Sequence, residues 1–156
     1  MILKIVRYLS RNNNKMKKIF LIWICIFGSI FISHGQENDT HTIIVTISGM
    51  KSDKGDVYIA LYNSEKDFLN KEFKGAIVQV TNLKATAFFK NIKKGTYAIS
   101  VFHDANDNQK LDTKIFGIPN EPIGTSNNAT GFMGPPKFKK AKFIVADNIT
   151  IPIIVE

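Results

Sequence analysis

Past residue 35 the chain contains no cysteine. That part of the molecule therefore has neither a disulfide nor a thiol nucleophile. Its only histidines are His41 and His103, which argues against a zinc centre of the usual His and Cys ligands. Acidic residues are absent from the first 35 positions. The apolar run at 19–32, IFLIWICIFGSIFI, has 14 residues, short of the roughly 20 that cross a bilayer as a helix. There are no internal repeats and no low-complexity tract.

What stands at the amino terminus reads as a targeting segment. Lys15, Lys17 and Lys18 precede the apolar run, and Ser33 and Gly35 supply small residues two positions apart after it. A basic start, a short apolar stretch and a small-x-small site describe a secretory signal peptide over residues 1–35. Met16 offers a second start, which would make 1–15 an upstream extension. The competing reading is an uncleaved anchor. Cys25 lacks the small-residue context that a lipidation site needs. The expected location is the periplasm or the cell exterior, with no membrane span left after cleavage.

Removing that segment changes the charge argument. The whole chain carries +8, but residues 1–35 hold six of the 21 basic residues, leaving 15 basic against 13 acidic, or +2. A nucleic-acid partner needs basic residues clustered on the folded domain and is not expected. Lys137, Lys139, Lys140 and Lys142 read as a solvated strand edge. Residues 36–41 read as a flexible start, and 42–156 as one domain of ordinary size.

Alternation dominates that domain. Ile43, Val45 and Ile47 share one parity, as do Val57, Ile59 and Leu61, and then Tyr97, Ile99, Val101 and His103. Further stretches of this kind are GAIVQVTN, KATAFFKN, KFIVA and ITIPIIV. Seven short runs of period two, separated by Gly, Asn, Asp and Lys, predict an all-β fold: a single antiparallel β-sandwich, transthyretin-like or immunoglobulin-like. Pro152 suits an edge position. Ser64 with Asp67 predicts one capped helical turn in SEKDFL.

Between residues 112 and 142 the alternation stops. The stretch is rich in Gly, Pro, Asn and Ser, yet includes Ile115, Phe116, Ile118, Ile123, Phe132, Met133 and Phe138. That apolar content predicts a long ordered loop packed against one end of the sandwich.

The loop that opens this excursion is the main candidate site. In HDANDNQKLD, Asp104, Asn106, Asn108, the Lys110 carbonyl and Asp112 follow the first nine positions of a calcium loop. Position twelve should be a glutamate and is Ile115, which excludes an EF-hand. Asp107 or Glu121 could supply a further oxygen. Two readings fit the stretch: calcium or a similar hard cation, or a network of Asp and Asn turns without metal.

Catalytic readings have less behind them. His103 reads as a strand-end histidine bonded to a loop carbonyl. Ser126 lacks a G-x-S-x-G elbow, so a hydrolase built from His103, Ser126 and nearby carboxylates is the weakest reading. A carboxylate pair of Glu121 with Asp104 or Asp112 has no fixed separation. Asn127 and Asn128, with Phe132 and Phe138 as stacking rings, suggest a carbohydrate- or peptide-binding module over 115–138. The opposing reading is that these Asn side chains satisfy loop backbone.

The segments FHDANDNQKLDT, FGIPNEPIGTSNNATGFMGPPKFKKAKF and KGTYAISVFHD together resemble the DUF2141 family of exported bacterial proteins, over residues 42–155. The family's molecular activity is unknown. FFKNIKKGTYAISVFHD also resembles the core hairpin of transthyretin-like and carboxypeptidase-regulatory-like sandwiches. The family pattern in the candidate loop is Asp-x-Asn-x-Asn-Gly-x-Leu-Asp, and Gln109 stands where the glycine is expected. Gln tolerates a left-handed turn only at a cost. The expectation is an exported, non-catalytic structural or binding sandwich with an unknown protein or glycan partner, its one suggested cofactor being calcium.

Overall fold

The computed structural model describes residues 39–132 and 134–156. The signal-peptide and start-site readings, residues 36–38 and Met133 lie outside the described residues.

Eight strands make two facing sheets. They are β1 (Thr40–Ser48), β2 (Asp56–Tyr62), β3 (Lys74–Gln79), β4 (Lys84–Lys93), β5 (Gly95–Asp104), β6 (Ile123–Thr125), β7 (Phe143–Val145) and β8 (Ile149–Ile154). One sheet runs β4-β1-β8 and the other β3-β2-β5-β6, with β7 also paired to β5. The fold is thus the predicted all-β sandwich, with two departures. β6 is an eighth strand, and β8 runs parallel to β1. No helix among the described residues is long and apolar enough to cross a membrane.

The alternation predicts which faces close the core. Ile43, Val45 and Ile47 on β1, Val57, Ile59 and Leu61 on β2, and Ile151 and Ile153 on β8 all point inward, joined by Ala85, Ala87 and Phe89 on β4. A side-chain period of two sends every second residue to the same face, so each strand needs only alternate apolar positions. Thr40 and His41 already belong to β1, opposite Lys93 and Ile92, rather than to a flexible start. Pro152 sits on the edge strand β8, where its missing N–H costs no ladder bond.

Ser64 forms the expected capped turn. Its hydroxyl donates to the Asp67 carboxylate at 2.7 Å and accepts the Asp67 N–H at 3.2 Å. The turn carries Phe68 into a small second core with Ala98, Phe138 and Ala141. Lys137–Lys142 departs from expectation. Instead of a strand edge, Phe138–Ala141 is a short helix, α1. Phe138 fills the second core, edge-on to Phe68 at 5.6 Å.

The long excursion is ordered, but it does not bury its apolar residues as expected. Ile115 and Ile118 are exposed, and Phe116 is 97% exposed. These residues occupy the end of a small hairpin. Asn120 N–H donates to Asp112 O at 2.8 Å, Thr113 bridges Pro119, and Lys114 N–H donates to Ile118 O at 2.7 Å. Phe116 (φ 66°) and Gly117 (φ 71°) turn the tip in the left-handed region. Of the apolar residues of the excursion, Phe138 is buried, whereas Ile115, Phe116, Ile118 and Phe132 are exposed.

Candidate functional site

The candidate loop begins where β5 ends. β5 pairs with β2 through Asp104 opposite Asp56. Just before Asp56, Gly55 (φ +73°) passes so close to Asp104 that a Cβ there would collide with the Asp104 carbonyl oxygen. Only glycine meets both conditions. His103, one residue earlier, is buried, and Lys54 O lies 2.8 Å from its Nε2. A carbonyl only accepts, so Nε2 carries the proton. This is the strand-end histidine that the sequence suggests.

The expected loop side chains gather, but mostly around one another. Asp104 has no exposed surface, and its carboxylate accepts the N–H groups of Asn108 at 3.1 Å and Gln109 at 2.7 Å. The Asn106 amide donates to Asp112 at 2.7 Å, and the Asn108 amide to the same carboxylate at 3.0 and 3.1 Å. Asn106 Oδ1 accepts Asn108 N–H, and Asn108 Oδ1 accepts Lys110 N–H. Asn106 and Asn108 thus each bind backbone two residues on, as Asx turns do. Gln109 (φ 63°) adopts the left-handed conformation in which the family pattern has glycine.

Glu121 joins the loop from its far end. Only 8% exposed, it accepts the Asp112 N–H through Oε2 at 3.0 Å, while its buried Oε1 has no hydrogen-bond partner. Two buried carboxylates therefore hold the two roots of the excursion, Asp104 at the start and Glu121 at the end. Asp107 does not join them. It lines a cavity of about 380 Å³ with Asp53, Asp56 and Gln79. Among the described residues, no three His, Cys, Asp or Glu side chains lie together at metal-holding distance. The acidic end of the sheet is felt at Tyr58. Partial burial raises its phenol above the usual value, and the charges of Asp104, Asp56 and Asp107 add to the rise.

The remaining candidates are engaged elsewhere. Asn127 donates to Lys140 O and Lys142 O, and Asn128 Oδ1 accepts Ile154 N–H. Asn127 thus satisfies backbone at the end of α1, and Asn128 meets β8 through its oxygen. Phe138 is in the second core, so of the two suggested stacking rings only Phe132, 91% exposed, faces solvent. Ser126 is fully buried. Its hydroxyl accepts Ile99 N–H at 2.9 Å and donates to Ala141 O at 2.6 Å. β5 pairs with β7 over Gly95–Tyr97 and with β6 over Ser100–Phe102, so Ser126 serves the N–H left between them. That assignment accounts for Ser126 without any nucleophilic role.

One surface escapes sequence reasoning. Ile77, Tyr58, Phe102 and Ile123 lie in register across β3, β2, β5 and β6 on the outer face. Tyr58 and Phe102 stack at 4.8 Å, nearly parallel. The sequence signal is an apolar residue at the solvent parity of each strand, which becomes a row only once the register is known.

A family model described as "Uncharacterized protein conserved in bacteria (DUF2141)" matches residues 45–151. The chain belongs to that family. The DUF2141 match spans both sheets and includes the candidate loop, the hairpin and α1. No curated protein and no solved structure matches the chain.

Proposed function

We propose that this DUF2141 protein is an exported, non-catalytic binding module. The rigid sandwich carries the 113–119 hairpin as its contact element, and loop 104–112 holds that hairpin in place. The contrast between roots and tip supports this reading. The roots are tied to the sandwich by the buried carboxylates of Asp104 and Glu121, while Ile115, Phe116 and Ile118 at the tip face solvent. Apolar side chains displayed on a well-held hairpin suit contact with a partner. The buried, backbone-bonded state of His103 and Ser126 favours a non-catalytic role over a hydrolase.

The triple substitution Ile115→Ser, Phe116→Ser and Ile118→Ser tests the reading. If the tip serves contact, unfolding free energy changes by less than about 1.5 kcal/mol, as for surface sites. A loss above about 3 kcal/mol would make these side chains structural and overturn the reading.

A calcium-holding role for the same loop is a second reading, favoured by the orphaned Glu121 Oε1. Asp104, Asn106, Asn108, the Lys110 carbonyl, Asp112 and Glu121 would be its oxygen donors, and calcium takes 6–8 oxygens. The ion would add a common centre to groups that otherwise bind one another. Melting temperature with millimolar calcium and with chelator tests this, because a ligand of the native state raises it. A shift below about 2 °C would sink a tight structural site.

A further inference from the structure

Residues 122–146 carry Lys137, Lys139, Lys140 and Lys142 and no acidic residue. Ion pairs among the described residues involve only Asp39 with Lys94 and with His41, so none of these four lysines is neutralised by a neighbour. Beside them Phe132 stands almost wholly in solvent. Phe132, Thr130, Gly131, Pro135, Lys137 and Lys140 line a cavity of about 310 Å³. The short helix α1 fixes the lysines: Phe138 and Ala141 face inward, so Lys139 and Lys140 project outward.

We propose that this face docks on a bilayer surface rich in anionic phospholipid, with Lys137 and Lys140 against headgroup phosphates and Phe132 inserted at the interface. Charge complementarity selects the occupant: four unpaired cations with an exposed aromatic ring match an anionic interface. A glycan is less well served, because the nearby Asn127 amide N–H groups and the Asn128 amide oxygen are already bonded to backbone. This surface is separate from the 113–119 hairpin and does not depend on the role given to that hairpin.

Co-sedimentation of residues 36–156, the chain left after removal of the basic, apolar segment 1–35, with vesicles tests the proposal. The vesicles are either phosphatidylcholine alone or phosphatidylcholine with about one-third phosphatidylglycerol. Binding should require phosphatidylglycerol and weaken as salt rises. Lys137→Gln with Lys140→Gln should lower the partition coefficient about 30-fold, since each lysine near an anionic surface contributes about a factor of five. Phe132→Ser should lower it further. Circular dichroism of each variant checks folding; these side chains lie outside both cores, so the spectrum should not change. Equal binding to neutral vesicles would overturn the proposal, as would parental binding by the folded lysine variant. It would also be overturned if a soluble polyanion such as heparin bound with the same lysine dependence while vesicles did not bind.

Discussion

Glu121 accepts the backbone N–H of Asp112, nine positions earlier in the chain, at 3.0 Å. The bond closes the far root of the excursion onto the β6 side of the sandwich. Glu121→Ala leaves that N–H without its partner. An unmet donor of this kind costs about 1–3 kcal/mol. Urea unfolding should register a loss in that range, and a change below about 0.5 kcal/mol would show that the contact carries no stability.

Gln109 holds φ 63° where the family pattern has glycine. Left-handed backbone costs a residue with a Cβ roughly 1 kcal/mol, and glycine avoids that cost. Gln109→Gly should therefore raise unfolding stability, or at least not lower it, despite glycine's greater freedom in the unfolded chain. The N–H donated to Asp104 is kept in the variant. A loss of more than about 1 kcal/mol would mean that the Gln109 side chain contributes contacts of its own.

Alkaline pH should weaken the fold. Burial, foremost, raises the phenols of Tyr62 and Tyr97 above the ordinary 10.0. A raised value means that the folded state favours the protonated form. The stabilisation is complete below pH 10 and is lost as pH rises through the folded values. The urea midpoint should fall above about pH 10, less steeply in the Tyr62→Phe, Tyr97→Phe double variant. Identical slopes in parent and variant would contradict this origin.

The strands were legible because period-two alternation is a local signal, and the inward set Ile43, Val45, Ile47 and Tyr97, Ile99, Val101, His103 could be read directly. β6 was not, because Ile123–Thr125 is three residues long with a central glycine and leaves no alternation to detect. Gly124 is small because Ile153 and Ile154 approach it, a contact that depends on tertiary structure. The loop's ligand-like spacing was legible, but the spacing alone does not say whether oxygens meet a cation or backbone N–H groups. The roles of Asn127, Asn128 and Ser126 depend on carbonyls and N–H groups 13–27 residues distant, beyond the reach of a motif. Lys137–Lys142 misled because alternate charge along a short segment looks alike on a strand edge and on one turn of helix.

The central claim is that loop 104–112 and Glu121 hold the hairpin in place. Amide hydrogen exchange of Glu121→Ala against the parent chain tests it most directly. The hairpin amides of Lys114 and Asn120 should lose protection about tenfold or more, while core amides such as those of Ile59 and Val101 keep theirs. Unchanged protection at Lys114 and Asn120 would contradict the account, because the hairpin would then keep its shape without its carboxylate root.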